Sequence, residues 1–154
     1  MKFRNNILSM TNPEQAEQIF NNGLNCAQAV ISIYSDRFKL LNETALQMTC
    51  GFGAGIARMQ ETCGAITGSV MVIGLFVAEK KIDAADRKEE TYAMITDFIK
   101  HFRDRNKFIT CRDLLKCDIN TEEGRYHYDV NELHEKVCLK CVKDAVKILD
   151  ELFK

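Results

Sequence analysis

Apolar residues recur along this chain at three- and four-residue spacings, while the strict alternation of a half-buried strand is nearly absent. That pattern predicts an all-α fold. A first helix starts at Thr11-Asn12-Pro13, with proline in its first turn, and ends before Gly23. A second begins at Asn25-Cys26 and carries Ala29, Val30, Ile33 and Tyr34 on one side. A third follows Asn42, read as its cap, and runs to about Cys50. The glycine-rich link 51–55 leads to a helix from Thr62 to about Glu79, uncharged through Ala78. Glycines and hydroxyls dilute that segment and it is short for a membrane span, so it reads as a buried core helix. Asp83 caps a long charged helix reaching about Asn106, with Tyr92, Ile95, Phe98, Ile99 and Phe102 as its inner stripe. A short helix from Cys111 to Lys116, a polar loop from Asp118 to Tyr128 and a final helix from about Asn131 to Leu152 follow. No repeat, low-complexity tract or linker divides the chain. The expectation is one helical bundle over residues 1–154, of five to six main helices and a short extra one.

Composition leaves this picture intact and narrows the function. The 46% hydrophobic and 28% charged shares are those of a globular domain that buries its own core. A formal net charge of -1 offers no electrostatic grip on nucleic acid or an anionic membrane. The start, Met1 to Asn6, lacks the apolar run of a secretory signal. A cytoplasmic, reducing compartment is therefore expected, where structural disulfides are not the default. Against that background, seven cysteines in 154 residues stand out.

Three of them occupy one kind of place. Cys26 follows Asn25, Cys63 follows Thr62 and Cys111 follows Thr110, each at the expected first turn of a helix behind a capping residue. Unpaired N–H groups and the helix dipole favour a thiolate there, which is the form that attacks disulfides and binds metals. Within the segment Cys63-Gly64-Ala65-Ile66-Thr67-Gly68, two glycines lie on one helical face. Each costs about 1 kcal/mol relative to alanine, so Gly64 and Gly68 mark the close approach of another backbone or of a cofactor. Cys138-Leu139-Lys140-Cys141 is a C-x-x-C with His134 one turn earlier, so 134, 138 and 141 fall on one stripe. It lacks the loop of a zinc ribbon and the strand-to-helix setting of a thioredoxin site, and Cys141 reads as a core residue.

Other chemistry drops out. Ile56 stands where a dinucleotide fingerprint needs its third glycine, and no Walker A sequence is present. The acidic loop from Asp118 lacks the glycine of an EF-hand. His101 lies among charges on a long helix, and no Ser/His/Asp set can be assembled. No standard catalytic motif remains.

Five segments together resemble the C_GCAxxG_C_C family of redox-active proteins: Asn25-Cys26-Ala27-Gln28-Ala29-Val30, Gly51-Phe52-Gly53-Ala54-Gly55-Ile56, Cys63-Gly64-Ala65-Ile66-Thr67-Gly68, Cys111-Arg112-Asp113-Leu114-Leu115 and Val137-Cys138. The resemblance spans about residues 12–152. It implies redox or metal chemistry at Cys26, Cys63, Cys111 and Cys138, with Cys117 as an auxiliary. Cys50 and Cys141 find no counterpart in it and read as packing residues.

The leading expectation is an iron–sulfur cluster on Cys26, Cys63, Cys111 and Cys138, since four thiolates are its usual ligand set. Metal-free thiol–disulfide exchange is the alternative, followed by a structural zinc site or an inert binding module. A redox centre calls for a redox partner protein, and the small-residue face at Gly64 and Gly68 could support a homodimer.

Overall fold

A computed structural model describes residues 10–154. The amino-terminal stretch read against a secretory signal lies outside the described residues. Eight α-helices make up the described chain: α1 (Asn12–Asn21), α2 (Cys26–Tyr34), α3 (Asn42–Thr49), α4 (Gly64–Ala78), α5 (Ala84–Asn106), α6 (Cys111–Leu115), α7 (Glu122–Val130) and α8 (Lys140–Leu152). A 3-10 turn, Cys50–Phe52, follows α3, and a π-helical segment, His134–Leu139, runs into α8. The only strand-like pairing among the described residues is one antiparallel bridge, Thr62 to Thr110.

Local chemistry sets most helix starts. Thr11 and Glu14 form a reciprocal capping box ahead of Pro13 in α1. Asn25 and Gln28 do the same for α2: the Asn25 side chain accepts from Gln28 N at 2.9 Å, and Asn25 N donates to Gln28 Oε1 at 3.0 Å. Asp83 accepts from Asp86 N to cap α5.

The core forms where α4 packs against α2, α5 and α8, with α1 laid along α8. Ile66, Val72, Ile73 and Val77 of α4 meet Val30, Phe98, Phe102, Ile148 and Leu149 there. The α2–α4 approach explains one glycine. A Cβ on Gly68 would lie 2.8 Å from the Ala27 carbonyl oxygen, so only glycine lets the two backbones meet. The face carrying Gly64 and Gly68 is covered by α2 of the same chain. No helix among the described residues is long and apolar enough to cross a membrane.

Several expectations need correction. Residues Asp118 to Tyr128 are not a loop throughout: Thr121 accepts from Gly124 N at 2.9 Å and starts α7, which raises the helix count. The final helix begins as a π-helix and becomes α-helical at Lys140. Asn42 is the first residue of α3, and Leu41 stands in the capping place. Tyr92 is 60% exposed and so not part of the inner stripe; Phe98 and Phe102 are fully buried, and Ile95 and Ile99 pack partly buried against the core. Cys50, read as a packing residue, is exposed because α3 ends there in the 3-10 turn.

Candidate functional site

The start of α4 and the start of α6 lie side by side. Across the Thr62–Thr110 bridge, Cys63 N donates to Ile109 O at 2.9 Å and Cys111 N donates to Glu61 O at 2.7 Å. That reciprocal pairing makes neighbours of Cys63 and Cys111, which are 48 positions apart in the chain. Cys111 is the first residue of α6, behind Thr110, which accepts from Asp113 N at 3.1 Å. Cys63 sits one place earlier than expected. It is itself the N-cap residue of α4, and Thr62 is spent on the bridge.

Cys26 enters from α2. A Cβ on Gly64 would stand 3.0 Å from the Cys26 Cβ, so the glycine brings the Cys26 side chain to the start of α4. Cys138 enters from the π-helical segment and Cys141 from the first turn of α8. π-Turns of this kind recur at functional sites because the extra residue re-aims the side chains around it. His134, Cys138 and Cys141 all face the same space, as their stripe implied.

Cys26, Cys63, Cys111, Cys138 and Cys141 thus line one cavity of about 410 Å³. Cys117 does not. It lines a separate pocket with Asp118, Gly124 and His127. Gly64 lines the cavity, whereas Gly68 faces Ala27. Cys141 is buried, as its reading as a core residue required, but its sulfur also belongs to the site.

The sulfurs differ in acidity. The Cys26 thiol leans on Cys138 and stabilises its anion, helped by the Tyr128 hydroxyl 3.7 Å from that sulfur, and Cys138 is held below the usual thiol range. Cys141 does the same for Cys63, whose anion also gains from the N–H groups of Ala65 and Ile66 in the first turn of α4. The donors pay in the opposite direction. Interaction with Cys138 and then burial raise Cys26 well above the usual value, and interaction with Cys63 and then burial raise Cys141. Burial, followed by the charges of Cys63 and Cys138, pushes Cys111 up to about 12. Two sulfurs are therefore shifted toward the thiolate and three away from it.

A segment that the sequence reading treated as a plain link roofs this cavity. Ala54, Gly55, Ile56, Ala57 and Arg58 all have φ between 48° and 66°, as does Gln60. Left-handed turns cost L-residues about 1–2 kcal/mol each and persist only where the surroundings fix them. Here Ala57 N donates to Gly51 O, Gln60 N to Ala54 O and Glu61 N to Gly55 O. The Gln60 side chain, 2% exposed, donates to Cys117 O at 2.8 Å and accepts from Ile119 N at 3.1 Å. Nothing in the pattern of apolar positions marks Gln60 or Tyr128 as site residues, because each acts through a long-range contact.

Sulfur dominates the cavity's donor set, beside His134 and Asp129, and thiolates are the donors that soft metals and iron–sulfur clusters take. Neighbouring sulfurs help to raise three of the thiols, and a cation among them would act in the opposite direction. Among the described residues, no three His, Cys, Asp or Glu side chains already stand together as a metal cage.

Comparison with known proteins agrees with the chemistry. A family model described as "Putative redox-active protein (C_GCAxxG_C_C)" matches residues 24–152. No curated protein and no solved structure matches the chain. With its family motifs gathered at the sulfur-lined cavity, the chain belongs to the C_GCAxxG_C_C family of redox-active proteins.

Proposed function

We propose that this chain acts as a single helical domain whose redox centre is Cys26, Cys63, Cys111 and Cys138, and that these thiolates hold an iron–sulfur cluster serving a redox partner protein. One observation carries the reading: sulfurs from four separate elements line one cavity, where dithiol chemistry needs only two. When bound, such a cluster supplies reversible one-electron transfer. The chain's part is to present the sulfurs, to limit water with Leu114, Leu115 and Val137, and to favour thiolate at Cys63 and Cys138. Anaerobic purification with iron, sulfide and zinc analysis tests this. Iron and sulfide in equal amounts, with visible charge-transfer absorption lost in Cys63→Ser, are expected. Stoichiometric zinc without colour would move the assignment to a structural metal site, and protein that stays metal-free after reconstitution would remove the cluster.

A second reading has its own observation: the sulfurs stand in two hydrogen-bonded pairs, Cys26 with Cys138 and Cys63 with Cys141, with one partner raised and the other lowered in each. Oxidising the first pair would join Cys26 to Cys138 and release two electrons. The protons the two sulfurs hold leave with the electrons, which pass to the redox partner. Metal-free protein should then show a two-electron couple with reversible loss of two free thiols, and the absence of that couple would remove this reading.

A further inference from the structure

The cavity continues past the sulfurs. Its walls run over Phe20, Leu24, Leu114, Ile119 and Val137 to a mouth carrying Arg58 and Arg125. Both arginines are exposed, and they come from separate elements, the left-handed turn and α7. A single residue sets them together. Asn120 Nδ2 donates to Arg58 O at 2.9 Å, and the Asn120 carbonyl accepts from Arg125 Nη1 at 3.1 Å. The Arg58 guanidinium has no carboxylate partner among the described residues. Against these two cations the lining holds one carboxylate, Asp129, while the His134 ring is stacked on Phe20 at 4.5 Å.

The room is therefore polarised along its length. Two exposed arginines stand at the open end, apolar walls follow, and buried sulfurs form the floor. A ligand with an anion at its leading end would bury that charge among apolar carbon and sulfur, away from both cations. A ligand with an apolar body and an anion at its trailing end satisfies every wall. The volume, about 410 Å³, lies within the range of small-molecule sites.

We propose that this cavity binds a small amphiphilic carboxylate, its apolar body against Phe20, Leu24, Leu114 and Val137 and its carboxylate at Arg58 and Arg125. Arginine suits that role, since its planar fork meets a carboxylate with two parallel N–H groups. The site names what the redox centre meets. It rests on the redox reading for the ligand's purpose and not for its binding.

The experiment titrates hexanoate, octanoate and decanoate, with octanamide as the neutral match, into the reduced, metal-free full chain and reads affinity by calorimetry. Octanoate is expected to bind about five- to tenfold more tightly than octanamide. Arg58→Gln combined with Arg125→Gln is expected to abolish that advantage while leaving octanamide unchanged. Both positions are exposed, so the pair should fold, and circular dichroism checks it. No binding by any of the three acids, equal binding of acid and amide, or an advantage that survives the double variant would overturn the proposal. A Cys138→Ser variant separates the two ideas: it removes the redox signal and keeps the octanoate preference if both hold. Octanoate preference in a protein with no redox couple would sink the redox reading alone.

Discussion

The Tyr128 hydroxyl lies 3.7 Å from the Cys138 sulfur, linking α7 to the π-helical segment. Both side chains are half-buried. Burial and the neighbouring sulfur push the tyrosine upward, so it remains a protonated donor while Cys138 ionises. Removing the hydroxyl by Tyr128→Phe takes away one of two stabilising contacts on the anion. A hydrogen bond to a charged group in such a setting contributes about 1 kcal/mol, or roughly fivefold in thiolate population. Iodoacetamide labelling of metal-free protein at neutral pH, read by peptide mapping, should show Cys138 slowed by that factor and Cys63 unchanged. Equal rates at Cys138 in the two proteins would show that the hydroxyl does not act on the sulfur.

Two glycines in α4 should respond in opposite directions to the same substitution. At Gly68 an added Cβ meets the Ala27 backbone at 2.8 Å, and α2 would have to shift to admit it. Gly68→Ala should cost about 1–3 kcal/mol by forcing a packed interface apart. At Gly74 an added Cβ meets nothing within 4 Å. Gly74→Ala should therefore gain about 0.5–1 kcal/mol from helix propensity. Urea midpoints decide both, and a destabilised Gly74→Ala would show that α4 is constrained along its whole length.

The helix starts were legible because they rest on neighbours in sequence. Thr11 with Glu14, Asn25 with Gln28 and Thr110 with Asp113 make their capping contacts across three residues. Cys26, Cys63, Cys111 and Cys138 were legible as candidates through the family motifs, and the structure places all four on one cavity. Other features depend on partners that local pattern does not reveal. Tyr92 lies on the helical side of Ile99, but α5 has 23 residues against 15 in α4 and is fully buried only at Phe98 and Phe102, with Ile95 and Ile99 partly covered. Asp118 to Tyr128 read as a polar loop, yet a Cβ at Gly124 would collide with Asp118 O at 1.7 Å, so glycine is what lets α7 start. Ile56 and Ala57 give no hint of left-handed backbone, which is imposed by hydrogen bonds to Gly51 and from Met59.

Gln60 should be the costliest polar residue to truncate. Its amide satisfies a part-buried carbonyl of Cys117 and a part-buried N–H of Ile119 at once, and it does so from a left-handed backbone. Gln60→Ala leaves both backbone groups without that partner and removes the brace between the turn and α6. The expected loss is about 2–4 kcal/mol, from two groups at the usual penalty for buried unsatisfied polar atoms. Hydrogen exchange separates a local effect from a global one. Amides of Ala57 and Glu61 should lose protection before those of α4, and uniform loss would show that the turn is not held separately.

Asp118 gives the pH dependence its sign. Its carboxylate lies 2.9 Å from Arg112 Nη1, and its Oδ1 accepts from Asn120 N at 3.0 Å. The bond to Arg112, followed by the one from Asn120, holds it below the usual carboxylate range in the folded chain. A depressed carboxyl contributes stability above its unfolded value of about 3.9, and that contribution disappears as pH falls through the lower folded value. Asp118→Asn abolishes this proton linkage. At pH 7 the wild type should be the more stable, and the gap should close steadily as the pH falls below about 4. Glu14 and Glu132 are also held low, but they are common to both proteins and cancel in the difference. Urea midpoints measured across that range supply the test: a gap independent of pH would mean that the Arg112 and Asn120 contacts do not distinguish the two charge states of Asp118. Because Asn120 also sets Arg58 and Arg125, acid that releases Asp118 should loosen the cavity mouth before it unfolds the bundle, with exchange at Asn120 rising first.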